Sequence, residues 1–246
     1  MTDTLIGPGA RLDARERVAV ALDVPTGEAA LRARDSFGDA LGLAKLGSAL
    51  FVREGMPLVR ELKEGGARVF LDLKFHDIPS VVEQAVDKAV AEGVDYLTVH
   101  ASGGAAMVEA AVRAAERGST RVLAVTVLTS LDVDAWRAGA SPGEESVEEA
   151  VERLARLATD AGAHGLVGSA REAARLRRTG GPECLVVTPG IRLPGADTSD
   201  QARTVSVEDA VRSGSDILVI GRGVMRAPDP AAALRSVQDL LREDRS

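Results

Sequence analysis

The chain has 246 residues, 45% of them hydrophobic but only 2% aromatic, so aliphatic side chains and alanine must build its core. A net charge of −7 and a pI of about 5.2 argue against a broad nucleic-acid or anionic-membrane surface, but leave room for a small anion held by a local basic cluster. The single cysteine, Cys184, excludes an internal disulfide framework and fits a reducing cytoplasm, and no apolar run reaches the roughly 18 residues of a membrane span.

Residues 1–16 lack an apolar signal core and read as a loose N-terminal arm, with one catalytic domain expected over 17–246. Short apolar runs rich in β-branched residues then follow: RVAVALDV (17–24), GLAKLG (42–47), RVFLDLK (68–74), DYLTVHA (95–101), RVLAVTVL (121–128), GLVGS (165–169), CLVVTPG (184–190) and DILVIGRG (216–223). Segments such as SVVEQAVDKAVAEG and SVEEAVERLARLATDAG separate them, with apolar residues at three- and four-residue spacing and glycine at the end. The acidic EESVEE run reads as a helix N-terminus on a solvated face. Eight strands alternating with eight helices predict a parallel sheet closed into a (β/α)8 TIM barrel. An open doubly wound sheet would be announced by an early G-x-G-x-x-G, and the first βα turn reads DVPTGE instead. Two long loops, TSLDVDAWRAGASPGEES after strand five and IRLPGADTSDQARTVS after strand seven, fall at the end of the barrel where function collects.

The strand ends carry the chemistry. Strand one ends at Asp23 and strand two carries Lys45; strand three carries Asp72 and Lys74, with Asp77 just beyond. Strand four ends in His100, strand five near Thr129, strand seven runs into Arg192, and Gly221-Arg222-Gly223 closes strand eight. Period-two alternation puts Asp72 and Lys74 on one face with Cα atoms roughly 6.5–7 Å apart, close enough for their side chains to meet. A buried ion pair fixing the strands is the structural alternative. Burying four charges in a core costs several kcal/mol per ion, so an alternating Lys–Asp set fits a site better. IGRGV after the last strand has the form of a barrel phosphate site, with glycines for close backbone approach and Arg222 for charge, although Gly-Arg-Gly also makes a good turn. His76 and His100 lie near this end without the spacing of a metal set; His76 reads as a hydrogen-bonding support, His164 as structural, Cys184 as a small core residue and Trp136 as loop packing.

Asp72-Leu73-Lys74-Phe75-His76-Asp77-Ile78-Pro79 resembles the D-x-K-F-H-D-I-P signature of the orotidine 5′-phosphate decarboxylase family. Ala21-Leu22-Asp23, Lys45-Leu46-Gly47, Thr126-Val127-Leu128-Thr129-Ser130, Val187-Thr188-Pro189-Gly190-Ile191-Arg192 and Gly221-Arg222 extend the resemblance over almost the whole chain; the loop after Arg192 matches less closely, apart from Asp200-Gln201. The resemblance implies Lys74 as proton donor to C6 of the pyrimidine and Asp72 against the departing carboxylate. It implies Asp23 and Lys45 on ribose hydroxyls, Lys45 also joining Asp72 in the charge network, and Thr129 at the pyrimidine edge. Gln201, Arg222 and the Gly221 backbone would hold the 5′-phosphate, with Arg192 at the base of a closing loop, and Asp77 with Ile78 would enter the neighbouring subunit's site in a homodimer. It further implies a cytoplasmic enzyme, free of metal and cofactor, catalysing the last step of de novo UMP synthesis.

Loss of CO₂ from C6 leaves an sp² carbanion with no neighbouring group to delocalise it. A fixed ammonium stabilises that charge and then protonates the carbon. Two carboxylates beside Lys74 favour an ammonium, which weighs against a Schiff-base enzyme, whose lysine must be neutral. The remaining alternatives are a Mg²⁺-dependent sugar-phosphate decarboxylase or synthase of the same barrel group, and a non-catalytic nucleotide-phosphate-binding barrel.

Overall fold

The computed structural model of the chain describes residues 7–139, 146–193 and 205–243. The strands are β1 (Val18–Ala21), β2 (Leu43–Gly47), β3 (Arg68–Phe75), β4 (Tyr96–His100), β5 (Arg121–Val125), β6 (Gly165–Val167), β7 (Leu185–Thr188), β8 (Ile191–Arg192), β9 (Val205–Ser206) and β10 (Ile217–Ile220). The helices are α1 (Gly27–Phe37), α2 (Ser48–Glu64), α3 (Pro79–Ala91), α4 (Ala105–Ala115), α5 (Val133–Gly139), α6 (Val147–Asp160), α7 (Ala173–Gly180), α8 (Val207–Arg212), α9 (Arg222–Met225) and α10 (Pro230–Glu243). Eight parallel strands close into a barrel in the order β1-β10-β7-β6-β5-β4-β3-β2, and each lies within one of the apolar runs singled out in the sequence, except that β3 extends one residue further, to Phe75. The protein is therefore a (β/α)8 barrel. Among the described residues no helix is long and apolar enough to cross a membrane.

Two cores follow from the pleat. Inward residues, among them Ala19, Leu43, Phe70, Tyr96, Leu123 and Ile217, fill the barrel. Outward residues such as Leu46, Leu71, Leu97 and Leu218 meet the apolar faces of the helices, including Val59, Val86 and Leu154. The inward series decides where function sits. Two residues beyond Leu43, Phe70 and Tyr96 the same face presents Lys45, Asp72 and Thr98. The barrel turns from hydrocarbon to charge within one repeat of the pleat, at the C-terminal ends of the strands.

Three additions lie outside the eightfold pattern, one of them the short α9 between β10 and α10. The loop after β5 contains α5, with Trp136 packed on the outer core. β8 and β9 pair in parallel and bring together the two ends of the loop after β7. The EESVEE run does start a helix: Ser146 caps α6, its hydroxyl accepting the Glu149 N–H while Glu149 accepts the Ser146 N–H.

The loose arm expected over residues 1–16 is not loose from Gly7 onward. A 3-10 turn, Pro8–Arg11, lies under the N-terminal mouth of the barrel, and the Gly9 N–H donates to Asp216 Oδ1 at 2.8 Å. Leu12 packs against the interior cluster and Ala14 is buried. A Cβ on Gly9 would stand 2.7 Å from Asp216 Cα, so only glycine permits this approach. Asp216 also accepts the Val186 N–H and pairs with the buried Arg177, which tethers the carbonyls of Gly181, Cys184 and Gly214. The attachment depends on two glycines and one leucine in a polar stretch, too little apolar pattern to register as an element.

Two stability predictions arise at this end of the barrel. The Tyr96 ring is fully buried, edge-on to Phe70 with centroids 6.2 Å apart and with the Arg68 guanidinium 5.1 Å from its centroid, yet its hydroxyl has no hydrogen-bond partner among the described residues. An unpaired buried hydroxyl costs about 1–3 kcal/mol, so Tyr96→Phe is expected to raise the urea midpoint; a lowered midpoint would reveal a water bound there. His164 Nδ1 accepts the Val122 N–H at 3.1 Å, which requires a neutral ring nitrogen. Burial, then the nearby Arg121, hold His164 below its usual 6.5, against an opposing pull from Glu116. The unfolded chain therefore binds a proton that the fold resists, and stability is expected to fall as pH drops below about 6.5. Urea unfolding at stepped pH checks this. His164→Gln, which keeps an acceptor and cannot charge, should flatten part of the slope, and an unchanged slope would remove His164 as its source.

Candidate active site

Asp23, Lys45, Asp72 and Lys74 form one chain of alternating charge across the ends of β1, β2 and β3. Lys45 Nζ lies 3.8 Å from Asp23 Oδ1 and 3.5 Å from Asp72 Oδ2, and Lys74 Nζ donates to Asp72 Oδ1 at 2.7 Å. The Lys45 side chain is 9% exposed and that of Asp23 69%, so the chain runs from the barrel interior to open solvent. Burial alone would raise the Asp72 carboxyl. The Lys45 and Lys74 ammoniums, with hydrogen bonds from Lys74 and Thr98, outweigh it and hold Asp72 below the ordinary carboxylate range. Asp72 is thus an anion at neutral pH with both oxygens engaged.

Simple alternation foresaw Asp72 and Lys74 on one face; the backbone reaches that result by another path. Leu71 pairs with Leu97, but the next pair is Phe75 with Val99, so β3 spends four residues where β4 spends two. Lys74 sits in this bulge at φ +52°, the only described residue other than glycine in the left-handed region. Such a conformation costs of order 1–3 kcal/mol and persists only where its surroundings enforce it.

The remaining candidates divide by position. Gly221 adjoins the cluster: a Cβ there would lie 3.4 Å from Ala21 Cβ and 3.8 Å from Asp23 Oδ2. Arg222 is exposed at the start of α9. Asp77 and Ile78 are exposed between β3 and α3; the Asp77 carboxylate accepts the Ile78 N–H and makes no ion pair among the described residues. Thr129 is exposed in the turn after β5 and makes no hydrogen bond to the charged cluster among the described residues. Arg192 falls on β8, but its side chain, like Gln201, lies outside the described residues. The His76 and His100 rings sit 5.4 Å apart beside the site. Burial first, then His76 and Lys74, press His100 below its usual range, against Asp72. Among the described residues no group of three or more His, Cys, Asp or Glu side chains is arranged to hold a metal ion.

Two contributors escaped sequence reasoning. Thr98, on β4, bonds to both Asp72 and Lys74. Glu54, at the kink of α2, accepts the Gly27 N–H at 2.8 Å and so tethers the turn that carries Asp23. Neither belongs to a local motif, and each acts on a residue distant in sequence.

The sequence profile described as the Orotidine 5'-phosphate decarboxylase / HUMPS family matches residues 16–237. A protein named orotidine 5'-phosphate decarboxylase from Anaeromyxobacter sp. (strain K) is 51% identical over 222 residues, covering 90% of this chain and 96% of that protein. One of the same name from Moorella thermoacetica is 45% identical, covering 92% of each. The crystal structure of orotidine 5'-phosphate decarboxylase from Lactobacillus acidophilus superposes with a TM-score of 0.81 at 32% identity, covering 91% of this chain and 98% of that one.

Proposed function

The chain is an enzyme of the orotidine 5'-phosphate decarboxylase / HUMPS family, and from that premise we propose that it converts orotidine 5′-phosphate to uridine 5′-phosphate and CO₂, the last step of de novo UMP synthesis, in the cytoplasm. The observation that carries this reading is the unbroken Asp23–Lys45–Asp72–Lys74 chain at the barrel mouth. Asp72, held ionised, lies against the substrate carboxylate. The C6–carboxylate bond breaks, its electron pair stays on C6, and CO₂ departs. The Lys74 ammonium stabilises the developing carbanion and delivers a proton to C6, taking another from solvent afterwards. Asp23 and Lys45 orient the ribose. Gly221, Arg222 and Gln201 bind the 5′-phosphate, with Arg192 at the base of the loop, and Thr129 meets the pyrimidine edge. Binding energy from the phosphate, remote from C6, orders the cluster.

The active unit is a homodimer with shared sites. Asp77 is exposed beyond β3 with no ionic partner among the described residues, and Ile78 and Val81 beside it are 61% and 43% exposed, an apolar surface suited to a second copy. The reaction needs no metal and no cofactor.

An ultraviolet assay for loss of orotidine 5′-phosphate, run with and without exhaustive chelation, tests the function. Equal turnover in both supports it. Turnover lost to chelator and restored by Mg²⁺ moves the chain to the sugar-phosphate branch of the family, and absence of turnover in both overturns the orotidine 5′-phosphate reading.

A further inference from the structure

Thr98 is completely buried on β4, opposite the bulge of β3. Its hydroxyl accepts the Lys74 N–H at 2.9 Å and donates to Asp72 Oδ1 at 3.0 Å, the same oxygen that accepts Lys74 Nζ at 2.7 Å. The directions are forced. An ionised carboxylate only accepts and an amide N–H only donates, so the one hydroxyl proton goes to Asp72 and a lone pair faces Lys74. A single side chain thereby ties the Lys74 backbone to the Asp72 carboxylate, and the Lys74 ammonium closes the ring. Lys74 depends on such a tie. Its φ of +52° is unfavourable for a lysine, and the bulge has shifted its amide out of the regular β3–β4 register. Return to an extended φ would swing Nζ away from Asp72.

We propose that Thr98 is a positioning residue for the reaction, setting through these two hydrogen bonds where the Lys74 ammonium and the Asp72 carboxylate stand relative to the reacting carbon. The inference rests on Lys74 and Asp72 being the groups that flank that carbon.

Thr98→Val keeps the shape of the side chain and removes both hydrogen bonds; Thr98→Ser restores both. The expected result is a fall in kcat of at least about tenfold in Thr98→Val with KM changed less than about threefold, and recovery to within about threefold of the parent in Thr98→Ser. A merely structural role would not move the pH profile. Asp72 faces Lys45 from β2, Lys74 on its own strand and Thr98 and His100 from β4, with Asp23 from the end of β1 reaching it through Lys45. Loss of the Thr98 donor weakens the hold on the ionised carboxylate, so the acid limb of kcat shifts to higher pH in Thr98→Val and returns in Thr98→Ser. Hydrogen exchange at the Lys74 amide gives a readout independent of turnover, and it should quicken in Thr98→Val. If the parent chain does not turn over orotidine 5′-phosphate, the functional reading fails while the exchange data still decide the role of Thr98. An unmoved acid limb with unchanged exchange at Lys74 overturns the proposal, as does a loss of kcat that Thr98→Ser does not repair. Should Thr98→Val fail to fold by circular dichroism, Thr98→Ala carries the same readouts and criteria.

Discussion

Lys74→Ala is expected to leave a folded barrel with less than about a thousandth of the parental kcat, since positioned proton transfer alone contributes about 10²–10⁴-fold and charge stabilisation at the carbanion adds to it. The fold should survive. The Lys74 side chain is 33% exposed, alanine meets the same backbone cost at φ +52° that lysine already bears, and Asp72 keeps Lys45 and Thr98. No other amine on β3 stands near this position. Steady-state turnover alongside circular dichroism checks the result. Retention of a tenth of kcat, about 1.4 kcal/mol of barrier, would assign the proton to another group.

Mixing two inactive variants should regenerate activity. In a two-fold dimer that exchanges Asp77 across the interface, Lys74→Ala and Asp77→Ala chains combine into a hybrid with one site carrying both defects and one carrying neither. Random exchange makes about half of all dimers hybrid, so about a quarter of all sites should return to native turnover. If Asp77 served its own chain, every hybrid site would carry one defect and mixing would restore nothing. A mass tag on one variant confirms exchange, and absence of rescue with exchange confirmed refutes the shared site.

The barrel was legible because its strands are short β-branched runs spaced by helices, and because period-two alternation is simple arithmetic. Lys45, Asp72 and Asp23 could be placed at one mouth for the same reason: charge at an inward strand end has nowhere else to go. What escaped depends on tertiary placement. Thr98 reads as one more β-branched strand residue, and only the apposition of β4 to β3 gives its hydroxyl two partners. The bulge at Lys74 leaves no trace in composition, since lysine has no preference for positive φ. The plug under the barrel was invisible because Gly7 and Gly9 matter there for what they lack. The β8–β9 pair, two residues on each side, is too short to carry a periodic signal.

The Gly9–Asp216 bond joins residues 207 positions apart, and β1 completes the barrel by pairing with β10. That connection places a time constraint on synthesis. Chain growth of about 5–20 residues per second puts about 10–40 s between the emergence of one partner and the other. Throughout that interval β1 has a bare edge and Leu12 has no closed interior to cover. A nascent chain of this protein is therefore most exposed to wrong pairing at its oldest end, and a transcript cut short before Ile217 yields a polypeptide whose first strand can never be paired on both sides.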